Sequence, residues 1–185
     1  MKKLVVVCLG IVLSGCGKGP ANEGESFEEQ LYGPTRQATE KIDALTKGLE
    51  GQARIDALIS ALDDENLAVY AEALTALSGI GVDAVPRLIE ALDHQSDQVR
   101  AGAAYALRDI GPDAKAAVPA LTKFLKDQDA HIRQVAAQAL GNIGSDANTA
   151  IPALRQALQD EDKNVCRLAR EALKKIQPEG TGSEP

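Results

Sequence analysis

Residues 99–121 read VRAGAAYALRDIGPDAKAAVPAL, and residues 132–154 read IRQVAAQALGNIGSDANTAIPAL. The two stretches align without a gap when one is moved along the chain by 33 residues. Apolar residues, small residues, a glycine and a proline all recur at that step. A fixed step of this size, kept at many positions, is the sequence signature of stacked structural repeats. The sequence therefore predicts a repeat architecture.

The pattern extends in both directions from these two stretches. Leu173 follows Leu140 at the same step, and an earlier unit fits if its step is 30 residues. The three missing residues fall between Gly81 and Pro86, where one helix pair is expected to turn into the next. A deletion in a turn leaves both helices in register. We therefore predict four units, at residues 53–84, 85–117, 118–150 and 151–177.

Each unit carries start and stop signals for two helices. A proline opens the first helix in the last three units, because the first turn has an amide without a helical partner. In every unit, a residue that can accept a hydrogen bond from an unpaired first-turn amide precedes the second helix. These N-cap residues are Asn66, Ser96, Asp129 and Asp162. A glycine suited to a left-handed C′ position follows in three units; these are Gly81, Gly111 and Gly144. The pattern predicts an all-α fold of helix pairs.

These recurring sequence motifs resemble HEAT repeats, most of all the HEAT-like repeats first described in phycobilisome lyase subunits. The resemblance covers about residues 53–177, and it implies a short right-handed α-solenoid of about four HEAT-like helix pairs. In such families an arginine early in the second helix pairs with an aspartate of a neighbouring repeat. Arg100 and Arg133 occupy that place, so the resemblance implies a structural inter-repeat role for both.

The flanking segments are predicted to cap and tether the repeats. Four apolar residues at helical spacing, Ala38, Ile42, Leu45 and Leu49, predict an N-terminal capping helix over residues 35–52. Residues 16–34 are expected to be a mostly flexible tether, with Ser26 and Glu29 indicating a short helix at 26–32 as an alternative. Residues 178–185 are expected to be a disordered tail.

The N-terminus has the composition of an export signal. Lys2 and Lys3 precede an apolar run of about ten residues, half of what a membrane span needs. The run closes on Leu-Ser-Gly-Cys, which resembles the lipobox of bacterial lipoproteins; the alternative is an ordinary secretory signal that ends in a cysteine. The resemblance implies a signal peptide at residues 1–15 and lipidation of Cys16. It also implies a bacterial cell-envelope location, with Gly17 favouring the outer membrane, periplasmic side.

Composition and motifs argue against catalysis, metal binding and nucleic-acid binding. The chain has a net charge of −7, and both phosphate backbones and anionic lipid repel an acidic chain. His94 and His131 are expected to be solvated, and together with Cys166 they do not have the spacing typical of zinc ligands. The Asp160–Val165 run lacks the glycine of a calcium loop. We expect no catalytic residue, no cofactor and no metal.

A binding face is predicted on the second helices. Residues two, six and nine positions after each apolar helix start are expected to point away from the core, Gly141 among them. The alternative is a face that is merely solvated. Tyrosine and arginine are common at interface hot spots, so we predict that a protein or peptide partner contacts Tyr105, Arg108, Gln134, Gln138, Arg167 and Lys174.

Three functions remain open from the sequence. The first is a non-catalytic envelope scaffold or adaptor, held at a membrane by its lipid anchor and binding a protein or peptide. The second, from the resemblance, is a bilin-lyase-like or other enzyme accessory subunit that acts with a partner chain. The third is a passive accessory subunit of a larger envelope machine.

Overall fold

The computed structural model describes residues 27–177, and this part of the chain is helical with no β-strand. The predicted signal peptide at residues 1–15, Cys16, the part of the predicted tether before residue 27 and the predicted tail at 178–185 lie outside the described residues. The helices are α1 Phe27–Thr46, α2 Gly51–Ala61, α3 Leu67–Ile80, α4 Val85–Ala91, α5 Asp97–Ile110, α6 Val118–Phe124, α7 Ala130–Ile143, α8 Ile151–Ala157 and α9 Lys163–Ile176.

The helices pair in four successive layers. The pairs are α2–α3, α4–α5, α6–α7 and α8–α9, and each second helix packs against the second helix of the next layer. This arrangement confirms the all-α solenoid of helix pairs. Helix α1 packs against α3 and so begins the inner row. One helix pair cannot bury its apolar face alone, so stacked pairs share a continuous core.

The local signals read from the sequence act as predicted at the second helices. The side chains of Asn66, Ser96, Asp129 and Asp162 each accept a hydrogen bond from an amide in the first turn. The Asp162 carboxylate accepts two, from the amides of Asn164 and Val165 at 2.8 and 3.0 Å. The four predicted N-caps are therefore confirmed, and they set where α3, α5, α7 and α9 begin.

Each second helix of the first three pairs ends at a glycine, with a backbone conformation other than the predicted one. Gly81, Gly111 and Gly144 have φ of 73°, 70° and 78°, but their ψ values lie between −129° and −141°. That ψ leads straight into a short 3₁₀ turn instead of a left-handed helical cap, and only glycine adopts it freely. The first 3₁₀ turn has four residues and the later ones seven, which places the three-residue deletion in the turn.

Helix α1 differs from the predicted capping helix at both ends. It begins at Phe27 and ends at Thr46, so one helix covers both the predicted 26–32 segment and most of 35–52. Gly48, with a φ of 73°, follows its end, and Gly51 already starts α2. Ala38 and Ile42 are buried as expected, whereas Leu45 is 45% exposed.

The core runs through all layers as a line of fully buried leucines. Its largest members include Leu58, Leu77, Leu88, Leu107, Leu121, Leu140 and Leu154. One stretch of the described residues, Leu67–Ala91, has the length and apolar composition of a membrane span, with a mean hydropathy of 1.3. It comprises α3, the first 3₁₀ turn and α4, and it contributes Leu77 and Leu88 to this core.

Candidate functional site

The inner row of second helices brings part of the predicted binding face together. The Arg108 guanidinium lies over the Tyr105 ring, 4.6 Å from its centroid, and its Nη1 donates to Gln138 Oε1 at 3.4 Å. Tyr105 Oη lies 2.9 Å from Nε2 of His131, whose ring is tilted against it. Tyr105, Arg108 and Gln138 thus form one cluster across two repeats, and His131, expected to be only solvated, joins it.

The cluster is half-buried, and this shifts the ionisation of its phenol. Burial raises the pKa of Tyr105 above its ordinary value, while the positive charge of Arg108 partly opposes the shift. The phenol is therefore neutral at physiological pH and keeps its hydroxyl proton. It can therefore hydrogen-bond to Nε2 of His131.

A groove of about 300 Å³ lies beside this cluster, between α5, α7 and α9. Gly141 forms part of its floor: a Cβ atom there would come within 3.0 Å of Ala172 Cα. The prediction that residue 141 points away from the core is wrong, because α9 packs directly onto it. The groove is lined by Arg108, Ala137, Gln138, Gly141, Asn142, Leu168, Glu171, Ala172 and Lys175.

The polar rim of the groove is connected by hydrogen bonds across three repeats. Asn142 Nδ2 donates to the backbone oxygen of Arg108 at 3.2 Å, and its Oδ1 accepts from Lys175 Nζ at 2.9 Å. Glu171, the one acid of the lining, pairs with Arg167 at 2.8 Å. The rim therefore presents two cations, two amides and one carboxylate around an apolar floor.

The remaining predicted contact residues lie outside the groove lining. Gln134 donates from Nε2 to Asp162 Oδ1 at 3.2 Å and so joins two repeats. Arg167 and Lys174 are exposed on α9, and Lys175 lines the groove in place of Lys174.

Sequence reasoning missed Asn142 and Lys175. A signal for them existed, because Asp109, Asn142 and Lys175 follow one another at the repeat step of 33, one position after the predicted stripe. The interacting pairs Asn142–Lys175 and Arg108–Asn142 keep that spacing to within one residue.

The two arginines expected to join repeats behave differently. Arg133 is 6% exposed, and its guanidinium pairs with the Asp160 carboxylate of the next repeat through two hydrogen bonds of 2.8 Å. Arg100 departs from the expectation: it pairs with Asp97 in its own helix and donates to the backbone oxygens of His94 and Gln95. Of these two arginines only Arg133 joins repeats, and a second inter-repeat pair links Arg87 of α4 to Asp56 of α2 at 2.6 Å.

Within residues 27–177, no group of three or more histidine, cysteine or acidic side chains is arranged to hold a metal ion. Cys166 is a half-buried free thiol whose Sγ donates to the backbone oxygen of Asp160 at 3.1 Å.

A family model described as HEAT repeats matches residues 55–117 and 85–174, which together span more than half of the chain. No curated protein matches the sequence.

Solved structures of helical repeat proteins resemble the solenoid. The complex of CpcE and CpcF of phycocyanin lyase from Nostoc sp. PCC7120 matches at a TM-score of 0.61 and 27% identity, over 67% of this chain and 78% of that chain. A designed armadillo repeat protein in complex with the peptide (KR)4 matches at 0.52 and 22% identity, over 81% and 75%. An engineered protein matches at 0.51 and 23% identity, over 74% and 78%. The last two likenesses concern the fold alone.

Proposed function

Because the chain belongs to the family of HEAT-repeat proteins, we propose that it is a non-catalytic adaptor that holds a protein or peptide partner in the groove between α5, α7 and α9. The observation that carries this proposal is the half-buried Tyr105–Arg108–Gln138 cluster at the edge of an apolar-floored groove. Tyrosine and arginine side chains held in place by neighbours are the groups that dominate interface energetics.

The rim indicates the chemistry of the partner segment. Arg108 is paired with Asp109 at 2.7 Å and Glu171 with Arg167 at 2.8 Å, whereas among the described residues no ion pair involves Lys175. The amides of Gln138 and Asn142 can donate to a carboxylate or to a peptide carbonyl. The groove therefore suits an extended segment that places one acidic side chain at the rim and small apolar ones on the floor.

Cross-linking tests the groove directly. A photo-reactive residue in place of Gln138 is expected to trap a partner in intact cells, and Tyr105→Ala with Arg108→Ala is expected to reduce the adduct tenfold or more. The matched control carries the probe at Lys123, an exposed residue of α6. The same adduct from both probe positions, or an adduct undiminished by the double variant, would contradict the proposal.

The second part of the proposal is membrane attachment through acyl groups on Cys16, which places the adaptor in a bacterial cell envelope, most simply on the periplasmic side of an outer membrane. The lipobox-like residues Leu13–Cys16 support it. A single acyl chain holds a protein only marginally, whereas two or three hold it stably.

Metabolic labelling tests the anchor. Cells fed an alkyne fatty acid are expected to label the wild-type chain in the membrane fraction, and Cys16→Ser is expected to abolish the label. Cys8→Ser is the matched control, because it leaves the lipobox-like tetrapeptide intact and should keep the label. An unlabelled wild-type chain in the soluble fraction would refute the anchor and leave the groove untouched.

A second function, that of an enzyme accessory subunit, is favoured by the likeness to the phycocyanin lyase complex. In that role the chain would handle a bilin together with a partner chain. Bilins absorb visible light, so incubation of the purified chain with a bilin separates the two functions. A coloured protein after gel filtration favours the accessory role, and a colourless one favours the adaptor.

A further inference from the structure

The second helix of the last described layer exposes a central position that the two preceding layers bury. Ala104 and Ala137 are completely buried, because each lies under the second helix of the next repeat. The residue in the same register of α9 is Arg170, and it is exposed. Lys174 likewise stands where Gly141 is buried in α7. This face, with four cations in a row, is here called the α9 basic face; its residues are Lys163, Arg167, Arg170 and Lys174.

The four cations are aligned by helix geometry. Their spacing of four, three and four residues keeps them within about 60° of arc around α9, in a row about 16 Å long. Arg167 pairs with Glu171, and among the described residues no ion pair involves the other three. Glu161, in the turn before α9, contacts Arg133 and is the nearest other exposed acid along the chain.

The charge of this face opposes that of the rest of the protein. Helix α9 has five cations and one anion, a net charge of +4, in a chain of net charge −7. The remainder of the chain therefore carries −11. A polar end is enough to keep a terminal repeat soluble, and charges of either sign would serve. The concentration of cations on an otherwise acidic molecule is what requires another explanation.

The α9 basic face has no large exposed apolar side chain, and this argues against a protein partner. The large apolar side chains exposed on the described residues are Leu45, Leu67 and Val82, and none of them lies on α9. Protein interfaces depend on buried aromatic or aliphatic anchors in pockets, which the groove offers and this face does not. A straight row of long, exposed Lys and Arg side chains fits a planar array of negative charges instead.

We propose that the α9 basic face binds the headgroups of an anionic phospholipid bilayer. Screening makes this compatible with the acidity of the whole chain. The Debye length is about 8 Å at physiological ionic strength, and neighbouring helices pack 8–10 Å apart. The bilayer therefore acts on α9 and little beyond it. The expectation that anionic lipid repels this chain follows from net charge alone, and the proposal departs from it for this face only.

Vesicle co-sedimentation of residues 16–185 tests the proposal, with Cys16→Ser in every sample, so that neither the N-terminal lysines and apolar run nor an acyl anchor contributes. Vesicles of phosphatidylcholine with 30 mol% phosphatidylglycerol are compared with pure phosphatidylcholine. Each cation near such a surface raises binding about fivefold. The triple variant Lys163→Gln, Arg170→Gln, Lys174→Gln is therefore expected to lose about a hundredfold in binding to the anionic vesicles only, with less dependence on salt.

The matched control removes the same three charges elsewhere, by Lys47→Gln, Arg54→Gln and Lys123→Gln, all at exposed positions. It should bind anionic vesicles nearly as well as the parent chain. Equal losses in both triple variants, or no preference of the parent for anionic vesicles, would overturn the proposal. So would tighter binding of the parent to a polyglutamate peptide, which would assign the face to an acidic polypeptide. Arg167 and the groove remain intact in all variants, so failure here leaves the adaptor proposal standing.

Discussion

Arg133→Ala is expected to lower the free energy of unfolding by about 3–5 kcal/mol, the usual effect of removing one member of a buried ion pair. The side chain is 6% exposed and makes four short contacts. Nε and Nη2 donate to both oxygens of Asp160, and Nη1 donates to the backbone oxygens of Asp127 and Gln128. Truncation leaves the Asp160 carboxylate, which is 12% exposed, beside no cation, and it frees the turn that precedes α7.

Arg100→Ala is the matched control, because the residue has the same register one repeat earlier. Its ion pair with Asp97 stays within one helix and its carboxylate partner is exposed, so we expect a loss of about 1 kcal/mol. Urea unfolding followed by circular dichroism measures both variants. Equal losses in the two variants would show that the inter-repeat pair does not carry the effect.

Acid provides an independent check of the same ion pair. Hydrogen bonds from Arg133 hold the pKa of Asp160 below the ordinary value for an aspartate. A carboxyl with a lowered folded-state pKa contributes stability above its unfolded-state pKa, and that contribution is lost as the pH falls through the folded-state pKa. The wild-type chain should therefore lose more stability on acidification than Arg133→Ala does.

The contrast between these arginines shows which part of the fold the sequence could predict. The N-caps and the turn glycines are local signals, and each acts within a few residues of itself. The partner of an arginine depends on competition between nearby carboxylates. Asp97 lies one helical turn before Arg100 and captures it, whereas Ala130 stands at that place before Arg133, which therefore reaches Asp160 in the next repeat.

For the candidate site too, the sequence predicted features within one helix but not the contacts between helices. Tyr105, Arg108 and Gln138 follow from helical periodicity, and the structure brings them together. The pattern assigns Gly141 to the surface because periodicity within one helix contains no information about which residue of the next helix lies against it. Lys175 and Asn142 were missed for a related reason, since a groove between three helices exists only once their separations are known.

Replacing glycine by alanine is expected to stabilise the fold at Gly79 and to destabilise it at Gly141, where α9 packs closely. Both residues lie in second helices, and alanine improves helix propensity at each. A Cβ on Gly79 meets nothing within 4 Å, so Gly79→Ala should stabilise the fold by about 0.5–1 kcal/mol. A Cβ on Gly141 would lie 3.0 Å from Ala172 Cα and 3.1 Å from Ala172 Cβ.

The contact at Gly141 involves the backbone of α9, which cannot turn aside as a flexible side chain would. Gly141→Ala must therefore push α7 and α9 apart, and we expect it to cost about 1–3 kcal/mol, as overpacking of a core does. Thermal unfolding of the two variants under identical conditions should move the midpoint in opposite directions. A stabilised Gly141→Ala variant would mean that α9 lies farther from α7 than the structure has it, and the groove floor would then be deeper than described.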